Sequence, residues 1–290
     1  MVLKFRRYWQ IADVLFKYGF GIIIQRLFPG VHMFRFCRTC PVESAANEYQ
    51  RMRMAIEELG PTFIKFGQIM STRQDILPPP LIQELKKLQD QTAPLPFEEI
   101  RAVIRDELPG YEDFFDGIEE EPLGSASIAQ VHRARLKDGT PVVLKVQRPG
   151  IESIIETDIL ILESFARRAE RAFPEWKVYN PRGLVKDFAN QIRRELDFIR
   201  DGTNADMLRN NMKSLRGVKV PKIYWEFSRR RLLVMEYIDG VRVDNVPAIL
   251  DFGLNPKRIA QNGFIAYMTQ IFGDGFFHGD PHPGNLLVTG

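Results

Sequence analysis

Cysteine is scarce in this 290-residue chain: Cys37 and Cys40 are the only two. That scarcity excludes a disulfide framework and suits a reducing compartment. Their Cys-x-x-Cys spacing does not complete a metal site, because structural zinc takes four ligands and His32 adds only a third. No βαβ context surrounds them either, so they are read as reduced, partly buried thiols. Long apolar runs are also lacking. The most apolar stretch, residues 14–28, is interrupted by Lys17, Gln25 and Arg26 before it reaches bilayer-spanning length. No small-residue cleavage site follows it, so a secretory signal is not expected. Internal repeats and low-complexity tracts are absent. The net charge of +3 offers no broad basic surface for nucleic acid.

What is present is an ordinary folded-protein composition, 44% hydrophobic and 27% charged, with length enough for two domains. The charge is unevenly placed. Residues 1–40 carry Lys4, Arg6, Arg7, Lys17, Arg26, Arg35 and Arg38 against Asp13, a net +6 that leaves −3 for the rest. A basic amphipathic segment lying on an anionic membrane surface fits this region; a helix docked on the rest of the protein is the competing reading.

Helical spacing predicts helices over residues 43–58, 61–74, from 81 onward and over 98–107. The pattern changes near Ile118. Residues 129–136 and 141–147 read as two strands around Lys137-Asp-Gly-Thr140, a strong hairpin signal. A helical stretch over 151–209, broken around 174–181, follows. Strands are expected at 218–225 and 231–237, and a helix at 256–272. The division expected is a membrane-associating segment (1–40), a helical extension (41–117), a strand-rich lobe with a helical insert (118–240) and the start of a second lobe (241–290).

The chemistry concentrates near the end of the chain. His278-Gly-Asp-Pro-His-Pro-Gly-Asn285 places an Asn five residues after an Asp, the catalytic-loop spacing of protein-kinase-like enzymes. In such loops the Asp orients or deprotonates the attacking hydroxyl, and the Asn holds magnesium on the phosphates. Asp280 and Asn285 are the candidates, on a loop stiffened by Pro281 and Pro283. Gly124-Ser125-Ala126-Ser127-Ile128-Ala129-Gln-Val131 has the spacing of a phosphate-covering glycine loop with alanines at the second and third glycine positions. Each alanine adds a methyl group where backbone amides approach phosphates. Lys145 follows in a strand whose alternation sets Val142, Leu144 and Val146 opposite Val143, Lys145 and Gln147. Such a lysine needs an anionic partner, which phosphates supply. Leu232 to Gly240 reads as a strand entering an interlobe linker, with Glu236 and Tyr237 at the adenine edge. Asp251-Phe-Gly253 spells a kinase magnesium motif but precedes the catalytic loop, so it is read as a helix end or turn.

With loop, lysine and catalytic loop in order, the chain resembles the UbiB (AarF, ADCK) family of atypical protein-kinase-like proteins over nearly its whole length. Lys65-Phe-Gly-Gln68 matches that family's K-x-G-Q motif, and Glu195-Leu-Asp197 its E-x-D motif. The resemblance implies an α+β protein-kinase-like fold: a mostly antiparallel N-lobe sheet, a helical C-lobe and an N-terminal helical extension. It further implies that the Lys65–Gln68 helix covers the nucleotide cleft, that Glu195 and Asp197 belong to the catalytic set, and that a carboxylate six residues after Glu195 pairs with Lys145. Asp201 stands where family members carry Glu, one methylene shorter; kinase spacing alone favours Glu163, and the motif region is preferred. ATP or ADP with Mg2+ is the implied cofactor. Support of ubiquinone biosynthesis at the cytoplasmic face of the bacterial inner membrane is the implied role, with isoprenoid-quinone precursor lipids or quinone-biosynthesis proteins as partners.

Gly279 replaces the arginine that grips an activation-loop phosphate, which argues against a phosphorylation-switched kinase. An aminoglycoside- or choline-kinase-like phosphotransferase shares His-Gly-Asp and the downstream Asn but lacks the Lys65 motif. A non-catalytic lipid-binding scaffold switched by nucleotide is the reading from another class. Since Gly290 precedes the place of the second magnesium carboxylate, the C-lobe is expected to be truncated and this chain is not expected to turn over ATP.

Overall fold

The computed structural model describes residues 2–27, 46–89 and 92–290; Cys37, Cys40 and His32 fall outside them, as do the first residues of the helix expected at 43–58. The elements run in the order α1 (Val2–Lys17), α2 (Gly21–Leu27), α3 (Glu48–Leu59), α4 (Pro61–Met70), α5 (Pro79–Leu85), α6 (Phe97–Glu107), β1 (Phe115–Ile118), β2 (Gly124–Ser125), β3 (Ala129–Leu136) and β4 (Pro141–Gln147). Then come α7 (Ile151–Ala172), α8 (Pro181–Glu195), α9 (Phe198–Asn211), β5 (Leu232–Glu236), β6 (Val241–Arg242), α10 (Val246–Asp251), α11 (Pro256–Met268) and β7 (Leu287–Val288).

The chain forms two compact units, one of residues 1–93, 125–129 and 148–196, the other of 94–124, 130–147 and 197–290. The first unit is helical. Its core gathers Ile11 and Val14 of α1, Leu59 of α3, Phe63 of α4, Ile155 and Ile159 of α7, and Phe188 and Ile192 of α8. Asn47 caps α3 in a reciprocal capping box with Gln50, and Pro61 opens α4, where its missing N–H costs nothing. Gly67 lets α4 approach its neighbours: a Cβ there meets Leu88 Cδ1 at 2.5 Å.

In this unit the apolar stripe of α1 packs into the same core as α7 and α8. Arg7 anchors it further. Its guanidinium donates to both oxygens of the fully buried Asp158, at 2.7 and 2.9 Å, and to Leu59 O at 2.7 Å. The apolar run also breaks at Gly19, where φ is +88° and the chain turns into α2.

In the second unit β1, β3, β4 and β5 lie in that order in one sheet, with β2 paired to β3. The β3–β4 hairpin has the bounds read from the sequence. Val142, Leu144 and Val146 face a core shared with Ile100, Val103 and Ile104 of α6, and Lys145 takes the other face, opposite Leu233 of β5. The strand expected at 218–225 is reduced to a single bridge, Ile223 to Met235; Pro221 has no N–H to give a ladder. β6 and β7 form a second, two-stranded sheet. Asp251-Phe-Gly253 ends α10, with Gly253 at φ +71°.

Candidate functional site

Lys145 Nζ lies 2.7 Å from Asp201 Oδ2 and 4.5 Å from the centroid of the Phe198 ring. Phe198 and Asp201 are three residues apart on α9 and so share one helix face. The lysine therefore meets a carboxylate and an aromatic face presented together. Phe198 was not read from the sequence, although its i, i+3 spacing to Asp201 was visible. Gly202 explains how the shorter side chain reaches. A Cβ there meets Trp225 Cη2 at 2.7 Å and Leu233 Cδ1 at 3.1 Å, so glycine brings α9 close to the strand opposite Lys145.

The two residues of the E-x-D motif separate in role. Asp197 caps α9, its side chain accepting from Ile199 N at 3.2 Å. That is a structural contact. Glu195, in the first unit, accepts an ion pair from Lys65 at 3.5 Å. Lys65 is thus half-buried and paired, not the solvated lysine that helix periodicity alone implies. Gln68 donates to Leu88 O at 3.2 Å, which ties the end of α4 to the segment after α5.

In the first unit the loop 125–129 is held by groups that sequence reasoning missed. Ala126 O accepts from Arg148 Nε at 2.8 Å and Thr92 Oγ1 at 2.9 Å, and Ala126 N donates to Ala129 O at 2.8 Å. Ser125 Oγ lies 2.7 Å from Arg148 Nη2. Ser127 is fully buried and its hydroxyl has no partner among the described residues, while Ile128 joins the helical core. Gly124 is exposed; Val131 is half-buried and its carbonyl accepts from Leu123 N.

In the linker, the amides of Glu236 and Tyr237 have partners of their own. Glu236 N donates to Lys222 O at 2.8 Å and Tyr237 N to Pro141 O at 3.4 Å, so both amides are engaged within the protein. Burial alone raises the Glu236 carboxyl, but Lys219 at 2.6 Å and the Lys222 amide hold it below the ordinary value. The Tyr237 ring stacks under Arg133, 4.3 Å from its guanidinium carbon.

Asp280 and Asn285 meet directly: Asn285 Nδ2 donates to Asp280 Oδ2 at 2.9 Å. Pro283 opens the short 3-10 turn that contains Asn285, and His282 Nδ1 accepts from Gly284 N at 3.1 Å. Upstream, α11 passes into a π-helical turn over Thr269–Asp274. The buried Gln270 in that turn accepts from His278 N at 3.0 Å, and Tyr267 donates to His278 O. A π-turn re-aims one side chain, and such turns are frequent at functional sites. With Nδ2 engaged, Asn285 Oδ1 has no donor among the described residues. One such oxygen is what magnesium takes from a protein when phosphates and water complete its shell. Among the described residues no three or more His, Cys, Asp or Glu side chains gather as a metal-binding group.

A lysine–carboxylate pair on a hairpin strand, followed in the chain by a loop that joins an Asp to an Asn, belongs to a protein-kinase-like fold of α+β class. The model of the ABC1 atypical kinase-like domain matches residues 87–290, and the chain belongs to that family. It is similar to the "Probable protein kinase UbiB" of Pseudomonas paraeruginosa, 44% identical over 298 aligned positions covering 99% of this chain and 56% of that protein. The namesake of Marinobacter nauticus is 42% identical over 239 positions, 82% of this chain and 44% of its own. The chain spans about half the length of these curated relatives. Among solved structures it resembles Rv3197 of Mycobacterium tuberculosis in complex with erythromycin, at a TM-score of 0.52 and 25% identity, over 82% of this chain and 60% of that one.

Proposed function

We propose that this chain is the nucleotide-binding core of a UbiB-type atypical kinase or ATPase that takes ATP or ADP with Mg2+ and supports biosynthesis of ubiquinone or a related isoprenoid quinone. The observation that carries this reading is the Lys145–Asp201 pair at 2.7 Å. A lysine so held presents its remaining N–H donors as a fixed cation for phosphate oxygens. The Asp280–Asn285 contact supports the assignment of the catalytic loop, with Asp280 as the group that orients an acceptor hydroxyl. Asn285 would hold magnesium, which when bound would neutralise charge on the phosphates.

A second reading, a nucleotide-switched scaffold without phosphotransfer, is favoured by one specific observation. The Ala126, Glu236 and Tyr237 amides, which a conventional site offers to nucleotide, all donate within the protein. Calorimetric titration with Mg·ATP beside a turnover assay separates the two readings. In a full-length version, turnover lost in Asp280→Asn supports phosphotransfer and binding without turnover supports the scaffold, while no binding refutes both.

The proposed setting is the cytoplasmic face of a bacterial inner membrane, with quinone-precursor lipids or quinone-biosynthesis proteins as partners. No helix of the described residues is long and apolar enough to cross a membrane. Contact through this part of the protein is accordingly proposed to be peripheral. The apolar face of α1 is committed to the core, so the contact is proposed to fall to Ile22 and to the turn bearing Trp176, Val178 and Tyr179, all exposed. Arg26 stacks on Phe173 at 4.3 Å and Phe173 on Trp176 at 4.6 Å, which links these elements into one basic–aromatic surface.

A further inference from the structure

The loop that carries Asp280 and Asn285 has no apolar anchor of its own. No residue from Ile271 to Leu287 is buried, and Val288 of β7 is the next that is. Just before this stretch stands Gln270, only 5% exposed, in the π-helical turn that continues α11. A buried amide is costly unless its ends are engaged. Gln270 Oε1 accepts from His278 N at 3.0 Å, and its Nε2 lies 3.9 Å from Met212 Sδ, a weak acceptor in the residue that follows α9.

Tyr267 takes the other half of the same residue, donating to His278 O. Burial chiefly raises the Tyr267 hydroxyl above its ordinary value and the Asp280 carboxylate adds to this, so the hydroxyl stays a donor. Both backbone groups of His278 are thus held by side chains eight and eleven residues upstream. Two residues on, Asp280 N donates to His278 Nδ1 at 3.3 Å. Asp280 in turn accepts from Asn285 Nδ2, through Oδ2 at 2.9 Å and through its carbonyl at 3.3 Å. The contacts run from Gln270 to His278, Asp280 and Asn285, all within the second unit.

We propose that Gln270 is a positioning residue for this loop: by accepting from His278 N–H it fixes the backbone that leads into Asp280 and Asn285, and so sets the Asn285 oxygen for magnesium on a bound nucleotide. The inference rests on the nucleotide reading above and deepens it. Gln270 acts through His278, not by touching the ligand. A full-length amide is what the role needs, since it reaches a backbone N–H with one end and leaves no charge buried.

The test is equilibrium binding of ADP, with Mg2+ and with EDTA, to the wild-type chain and to Gln270→Met, Gln270→Asn, Gln270→Glu and Asn285→Ala, with the melting temperature of each. The quantity read is the ratio of the two affinities, because Lys145 acts on both and the loop on the first alone. Asn285→Ala is expected to remove most of the gain that Mg2+ gives. Gln270→Met is expected to lower the ratio roughly fivefold to tenfold, the equivalent of about one hydrogen bond, with metal-free ADP bound as by the wild type. Gln270→Glu, which keeps the acceptor, is expected to retain the ratio even where it melts earlier. Should Gln270→Met fail to fold, Gln270→Asn, one methylene too short to reach His278, carries the decision. A lower melting temperature with an unchanged ratio makes Gln270 a structural strut only and overturns the inference, provided Asn285→Ala does lower the ratio. No gain from Mg2+ in the wild type, or an unchanged ratio in Asn285→Ala, overturns the reading of the loop itself and this inference with it.

Discussion

Asp201 Oδ2 accepts from Lys145 Nζ at 2.7 Å although its side chain is one methylene shorter than the glutamate that the family resemblance leads one to expect. The reach is made up by the next residue. Gly202 is buried, and any Cβ there runs into Trp225, whose ring is fixed by a 2.6 Å hydrogen bond from Nε1 to Asp206. Aspartate and glycine work together: the helix comes closer, so the side chain can be shorter.

This coupling predicts a rescue. Gly202→Val is expected to push α9 outward, at an overpacking cost of about 1–3 kcal/mol, and to weaken nucleotide binding. Adding Asp201→Glu to that variant is expected to restore nucleotide affinity while leaving the stability loss in place. Independent, additive losses in the double variant would show that the two positions are not coupled.

The α1 anchor predicts a large effect far from the candidate site. Arg7→Ala leaves Asp158 buried without its guanidinium partner, which is expected to cost about 3–5 kcal/mol in chemical denaturation. Arg7→Leu combined with Asp158→Leu is expected to recover most of it. A cost under about 1 kcal/mol for Arg7→Ala would mean that the helix is a surface appendage.

His132 gives stability a pH dependence. Burial is the main influence and pushes its pKa below the ordinary 6.5, with the Glu119 carbonyl opposing. The carbonyl accepts from Nδ1 at 2.9 Å, so Nε2 is the acceptor for Gln130 Nε2 at 3.3 Å, and Gln130 Oε1 accepts from Leu95 N at 2.6 Å. Protonation sets two donors against each other. Because the folded pKa is depressed, the unfolded chain takes the proton first as pH falls. The contribution is complete above about 6.5 and is lost as pH drops through the folded value. The midpoint of denaturation is expected to fall between about pH 7 and about pH 5.5, and His132→Gln to flatten that slope. An identical slope in the variant would assign the dependence elsewhere.

The surface around Trp176 predicts salt-sensitive attachment to vesicles containing anionic lipid. The double variant Trp176→Ala, Val178→Asp is expected to reduce co-sedimentation several-fold, and Trp176 emission to shift to the blue on binding. Undiminished binding by that variant would place the contact on other residues.

How far the sequence carried this account depended on whether a feature is local. The β3–β4 hairpin was legible to the residue because Asp138-Gly139 and strict alternation are local signals, and the Asp280–Asn285 spacing was legible for the same reason. The docking of α1 was not. Its cations and apolar residues fit a membrane surface or a protein core equally well, and the contact of Arg7 with Asp158 is made 151 residues away. The Lys145 partner could be narrowed to a region by resemblance, but the glycine that lets Asp201 reach acts through packing against Trp225. Arg148 carried no motif, and its contacts join Thr92, Ser125 and Ala126, which are far from it in the chain.

The central claim, that Lys145 held by Asp201 receives nucleotide phosphate, is tested most directly by calorimetric titration of Mg·ADP into the wild-type chain and Lys145→Met. The pair is partly exposed, so its loss is expected to change stability by at most about 1 kcal/mol. Affinity is expected to fall roughly 10- to 100-fold, the equivalent of one charge-assisted contact. Equal affinity in a folded Lys145→Met protein would contradict the account.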